Sequence, residues 1–72
     1  MPIVNKKVKL NLIGLDGNAF FLMGAFSRAA RRQGWENKEI EAVMDGCMSA
    51  LDYDHLLRIL IEHTESTTED ED

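Results

Sequence analysis

The chain has 72 residues, a formal net charge of −5 and one cysteine. A chain of this length forms one small domain with a marginal core, and a single thiol excludes a disulfide framework and fits a reducing compartment. No apolar run approaches the roughly 20 residues of a membrane span, and the first residues lack the apolar core of a signal peptide, so we expect a soluble cytoplasmic protein.

The first predicted element is a half-buried strand over residues 7–13. Its apolar side chains, at Val8, Leu10 and Leu12, alternate with polar ones, which is the pattern of a strand with one buried face. No later segment shows the same pattern. Because a strand without a partner leaves backbone groups unpaired, we expect pairing with the same strand of a second copy, which gives a homodimer. A short hairpin with residues 1–4 is the alternative.

The second predicted element is a helix over residues 18–33. Asn18 is a suitable N-cap, and Gly34 provides the glycine that commonly ends a helix. One side of this helix is apolar and should face the core; it consists of Ala19, Leu22, Met23, Phe26, Ala29 and Ala30. The opposite side carries the candidate partner-binding residues, which are Phe21, Arg28, Arg31 and Arg32.

Two interpretations of these three arginines are open. Cations near a helix C-terminus complement the macrodipole, and they can pair with the acidic helix that follows. The same arginines can also form an anion-binding face. Phe20 and Phe21 raise a related question, since two adjacent aromatic side chains cannot both point into one core unless another element or a second subunit covers them.

Two further helices are predicted over residues 37–49 and 52–63, with Asn37 and Asp52 as their N-caps. The apolar stripe of the first consists of Ile40, Val43, Met44, Cys47, Met48 and Leu51. The apolar stripe of the second consists of Tyr53, Leu56, Leu57, Leu60 and Ile61. Both stripes repeat at three and four residues, which is typical of helices that bury one side.

No catalytic, metal or cofactor site is predicted. Asp52, Asp54 and His55 are close in sequence, but the acids suit a helix N-terminus and His55 lies on the outer side of its helix. Cys47 lies within an apolar stripe without a neighbouring base, which favours a buried and inert thiol. Because no nucleophile–base pair, metal-ligand set or carboxylate pair is recognisable, we expect a protein that is not an enzyme and needs no cofactor.

The last eight residues, ESTTEDED at 65–72, have no apolar side chain and are expected to form a disordered acidic tail. They make the charge asymmetric: residues 1–33 carry +5 and residues 34–72 carry −10, half of it in the tail. This asymmetry is a reason to expect a charged partner. The predicted fold is α+β and mostly helical: a single domain over residues 1–64, with one N-terminal strand followed by three helices.

Three stretches carry a resemblance to a known family; they read GLDGNAF, MGAFSRAARRQGW and DYDHLL. Together they resemble a family of small uncharacterised proteins of phages and bacterial mobile elements, over most of residues 7–63. The resemblance implies an accessory role without a defined activity. We therefore expect a non-enzymatic protein that binds a protein of the host or of the element.

A looser resemblance connects the chain with ribbon-helix-helix DNA-binding proteins. An alternating basic strand, a helix ending at glycine and a second capped helix follow in the same order, in KKVKLNLI, FSRAARRQG and NKEIEAVM. In that family the polar side chains of the strand read base edges in the major groove, and the matching positions are Lys7, Lys9 and Asn11. The long turn at residues 14–17 and the third helix depart from that pattern. A dimeric DNA-binding regulator is thus the alternative function.

Overall fold

The computed structural model describes residues 3–12 and 14–65 of the chain. Its elements are, in order, β1 (Val8–Lys9), α1 (Ala19–Arg32), α2 (Asn37–Met48), α3 (Tyr53–Glu62) and β2 (Thr64–Glu65). The predicted fold class is confirmed, because the protein is α+β and mostly helical, with one strand before three helices. Each helix contacts the other two, and β1 lies against α1. Residues 66–72 of the predicted tail lie outside the described residues.

The two strands form a parallel sheet, which the sequence did not predict. Val8 is in register with Thr64, and Lys9 with Glu65. The Val8 N–H donates to the His63 carbonyl at 2.8 Å, and the N–H of the residue after Lys9 donates to the Glu65 carbonyl at 3.0 Å. The expectation of a strand without a later partner was therefore wrong, and β1 is shorter than the predicted range of 7–13. Glu65, the first residue of the predicted tail, belongs to β2. A two-residue partner is too short to show an alternating pattern.

The other edge of β1 is occupied by a side chain. The Lys9 N–H donates to Gln33 Oε1 at 2.8 Å, and Gln33 Nε2 donates to the Lys9 carbonyl at 2.9 Å. The Gln33 amide thus forms the pair of hydrogen bonds that a neighbouring strand would form. The reason for expecting a strand-paired homodimer no longer holds, and homodimerisation stays a prediction.

Helix α1 begins and ends where the sequence predicts. The Asn18 side chain accepts hydrogen bonds from the N–H groups of Phe20 and Phe21, at 2.9 and 3.2 Å. At the other end Gly34 has a φ of +95°, and the Trp35 N–H donates to the Ala30 carbonyl at 3.0 Å. This is the hydrogen-bond pattern of a Schellman motif. The motif turns Trp35 into the core, where its side chain is buried.

The N-caps of α2 and α3 were predicted with different success. Asp52 caps α3 as expected, because its carboxylate accepts from the His55 N–H at 2.8 Å. The N-cap of α2 is Glu36 rather than Asn37, which is the first helical residue. The Glu39 carboxylate accepts from the Glu36 N–H at 2.9 Å. That bond, followed by one from Lys6, lowers the pKa of Glu39.

The core agrees with most of the predicted apolar stripes. The buried apolar residues are Val8, Leu22, Met23, Phe26, Ala29, Ala30, Trp35, Ile40, Val43, Cys47, Leu56, Ile59 and Leu60. The stripes were wrong at the far ends: Met48 is 65% exposed, Leu51 is 88% exposed, and Tyr53 and Ile61 are also exposed. Met48 is the last residue of α2 and Leu51 follows that helix, so the helical periodicity no longer applies there.

His63 is the one buried residue with a polar side chain in the part of the chain that the structure describes. Its Nε2 accepts from the Val4 N–H at 3.0 Å, and its Nδ1 lies 2.7 Å from the Ile59 carbonyl. Because Val4 supplies a donor, Nε2 carries the lone pair and Nδ1 carries the proton. His63 therefore joins the first described residues to the end of α3.

Candidate functional site

The outer face of α1 consists of Phe21, Gly24, Arg28, Arg31 and Arg32, on the side opposite the buried stripe. The three arginines are exposed, and Phe21 is 42% exposed. A Cβ added to Gly24 would lie 3.4 Å from Nη1 of Arg28. The Arg28 guanidinium therefore lies back across the glycine, on the side of the helix that also carries Phe21. An aromatic ring and a guanidinium thus lie on the same side of one helix.

The arginines of this face have no ion-pair partner among residues 3–12 and 14–65. The ion pairs found there join Lys6 to Glu39 at 2.9 Å and Lys38 to Glu36 at 3.7 Å. The acids at the start of α2 are thus paired with Lys6, which precedes β1, and with Lys38 of α2 itself. Of the two interpretations of the arginines, pairing with the acidic helix is not observed. Arg31 and Arg32 lie in the last turn of α1, where the macrodipole favours cations, so the anion-binding face stays a prediction.

The predicted strand residues lie next to this face. Lys7, Lys9 and Asn11 are exposed, on the side of β1 away from the buried Val8. The two hydrogen bonds between Lys9 and Gln33 hold β1 against the C-terminal end of α1. The segment that carries Lys7 and Lys9 therefore lies near the end of α1 that carries Arg31 and Arg32. We call Lys7, Lys9, Arg28, Arg31 and Arg32 the basic surface.

The exposed aromatic residues lie at the opposite end of α1. Phe20 is 71% exposed, and Phe21 is 42% exposed. Tyr53, at the start of α3, donates a hydrogen bond from its hydroxyl to the Gly17 carbonyl. The starts of α1 and α3 are therefore adjacent. The outer face of α1 runs from this aromatic end to the basic surface.

The described residues contain no group of three or more His, Cys, Asp or Glu side chains placed to hold a metal ion. Cys47 is 2% exposed, and burial raises the pKa of its thiol to about 11. The nucleophilic thiolate is therefore scarce at neutral pH. Both ring nitrogens of His63 are engaged in hydrogen bonds, and Nδ1 of His55 accepts from the Leu51 N–H at 3.1 Å. These groups maintain the fold.

A groove of about 370 Å³ lies between α2 and α3. Gly46, Ser49, Arg58 and Glu62 contribute to its lining, and its charges are therefore mixed. Ile3 enters it so closely that a Cβ added to Gly46 would collide with Cδ1 of Ile3. The groove is thus partly filled by the chain itself, and the outer face of α1 is the stronger candidate site.

Sequence reasoning found the arginines and Phe21 because helical periodicity separates them from the core. It missed Gln33, because a side chain that completes a strand edge leaves no pattern in the sequence. None of the helices in the described ranges is both long and apolar enough to cross a membrane. No protein-family model, curated protein or solved structure matches this chain.

Proposed function

We propose that the chain is a non-enzymatic binding protein that uses the outer face of α1 to bind an acidic surface of a protein partner. One observation carries the proposal: three exposed arginines without an ion pair in the described chain share a helix face with the exposed Phe21. A few residues dominate the binding energy of a protein interface, and arginine and large aromatic residues are enriched among them. We therefore assign one role to Phe21 and another to the three arginines.

Phe21 supplies apolar contact and the arginines supply charge complementarity. Burying a phenylalanine side chain contributes about 1.5–3 kcal/mol. The planar guanidinium groups form paired hydrogen bonds with carboxylates. Complementary charges also raise the association rate, in a way that depends on salt. An acidic partner with an apolar recess opposite Phe21 fits this face.

The location, the accessory role and the non-enzymatic role in this proposal rest mainly on features of the sequence. A cytoplasmic location is inferred from the single cysteine, which is buried and free. The accessory role in a phage or mobile element rests on the resemblance given by the three sequence stretches. A non-enzymatic role is supported by the two groups that could act in catalysis. The Cys47 thiol is buried in the core, and both ring nitrogens of His63 contact backbone groups.

Affinity capture from the organism that carries the gene tests the proposal. The wild-type chain is compared with Arg28→Ala/Arg31→Ala and with Lys38→Ala/Arg58→Ala, which removes the same charge from α2 and α3. We expect a protein that the wild type and the control variant retain and the α1 variant loses, with or without nuclease. Equal retention by both variants would contradict the proposed face.

The alternative is DNA binding through Lys7, Lys9 and Asn11. The observation that favours it is that the exposed Lys7 and Lys9 lie near the end of α1 that carries Arg31 and Arg32. The occupied edges of β1 differ from the two-fold ribbon of ribbon-helix-helix proteins, so the DNA-binding mode would have to differ as well. A duplex gel shift that weakens steeply with salt, and that disappears in Lys7→Ala/Lys9→Ala, would support this alternative.

A further inference from the structure

The described chain ends beside Lys9, one of the residues of the basic surface. β2 ends at Glu65, whose Cα is the register partner of the Lys9 Cα in the parallel sheet. The Lys9 backbone is held to the Gln33 side chain at 2.8 and 2.9 Å, and Gln33 directly follows Arg31 and Arg32. Glu65, which precedes residues 66–72 in the sequence, therefore lies near the C-terminal end of α1.

The residues that follow Glu65 have charges opposite to this surface. They read STTEDED and contain four acids, no base and no large apolar side chain. Seven extended residues span at most about 23–25 Å. Arg28 and Arg32 are about 6 Å apart along the helix axis. The segment is thus longer than the part of α1 that carries the three arginines.

We infer that residues 66–72 compete with the acidic partner for the basic surface and so regulate its affinity. This inference rests on the proposed function, since it concerns the same face. A short tether holds a ligand at an effective concentration in the millimolar range. Exposed ion pairs are individually weak and are screened by salt. The segment therefore excludes weakly acidic ligands and yields to a partner that offers more carboxylates together with a contact for Phe21.

Binding of fluorescein-labelled decaglutamate, measured by anisotropy at low ionic strength, tests this competition. Deleting residues 66–72 should tighten binding by about three- to tenfold, and the difference should vanish at high salt. The deletion leaves β2 intact, and thermal unfolding checks that the shortened chain folds. Weaker binding after the deletion would overturn the inference, because the segment would then be part of the binding element.

A matched pair of variants separates competition from net charge. Glu69→Gln/Asp70→Asn removes two charges from the segment, and Glu41→Gln/Asp45→Asn removes two from exposed positions of α2. The first should tighten decaglutamate binding, and the second should change it by less than about twofold. An equal effect of both would overturn the inference, because net charge would explain it.

The Arg28→Ala/Arg31→Ala variant distinguishes the two proposals. If decaglutamate binds the wild type, depends on these arginines and is unaffected by the deletion, the competition is wrong and the proposed face stands. If decaglutamate binds neither the wild type nor the shortened chain, both the acidic-partner proposal and the competition are wrong.

Discussion

His63 is the residue on which the ends of the described chain depend. Its ring accepts from the Val4 N–H and lies within hydrogen-bond distance of the Ile59 carbonyl, and its own carbonyl accepts from the Val8 N–H. The ring also packs edge-on against Phe26, with the centroids 6.4 Å apart. One residue thus joins α3, β1 and the segment before β1.

Replacing this ring should destabilise the fold strongly. His63→Ala leaves a cavity and two unpaired backbone groups, and we expect a loss of about 2–4 kcal/mol in the free energy of unfolding. Urea denaturation followed by circular dichroism measures it. His55→Ala is the control, with an expected loss below about 1 kcal/mol because the exposed Leu51 N–H can bond to water instead. Equal losses in the two variants would contradict the role assigned to His63.

Cys47 gives a second prediction at the residue scale. Since burial raises the pKa of its thiol to about 11, alkylation by iodoacetamide at pH 8 should be slow in the native chain and fast in urea. The folded state favours the protonated thiol, so its contribution to stability is complete below pH ~8.5 and declines as the pH rises towards 11. The free energy of unfolding of the Cys47→Ala variant should lack this part of the decline with rising pH. Native alkylation as fast as in urea would show that the site is open.

At the scale of elements, replacing a glycine by alanine should change the stability in opposite directions at two positions, one inside α1 and one just after it. Gly34 ends α1 with a φ of +95°, so Gly34→Ala should cost about 1–2 kcal/mol in unfolding free energy. Gly24 lies inside α1, and a Cβ there meets only the mobile tip of Arg28 at 3.4 Å. Gly24→Ala should therefore stabilise the chain by about 0.5–1 kcal/mol. Thermal unfolding midpoints that shift in the same direction would contradict the described end of α1.

The elements that the sequence predicted are those with local signals. Asn18, Gly34 and Asp52 each carry cap chemistry that depends on a few neighbouring residues, and each was placed correctly. The prediction of Asn37 as the N-cap of α2 was wrong because the reciprocal interaction between Glu36 and Glu39 satisfies backbone N–H groups at the helix start one residue earlier. The β1–β2 pairing could not be predicted, since it joins residues far apart in the chain and depends on how α3 returns to β1.

At the scale of the whole molecule, the occupied edges of β1 restrict how a homodimer could form. A homodimer through β1 would require the Gln33 amide to leave Lys9, because both edges of β1 are occupied within one chain. If a dimer forms in this way, Gln33→Ala should strengthen it in sedimentation equilibrium. A dimer whose stability is the same in the variant would show that the copies associate through another surface.

The fold also changes the meaning of the charge asymmetry along the sequence. Lys6 joins Glu39 of the acidic half, with Nζ and Oε1 2.9 Å apart, so part of the early positive charge is neutralised internally. The cations that remain without ion pairs in the described chain include the residues of the basic surface. The molecule therefore exposes cations on the outer face of α1 and beside β1 although its net charge is −5.

Nuclear magnetic resonance of the ¹⁵N-labelled chain, titrated with decaglutamate, tests most directly whether the outer face of α1 binds acidic ligands. The account predicts amide shift changes at residues 7–9 and 28–33, with Phe21 affected less because the ligand offers no apolar contact. Arg58, which lines the groove between α2 and α3, serves as an internal control because it is a cation outside the basic surface. Shift changes confined to residues around Arg58, or absent throughout, would contradict the account.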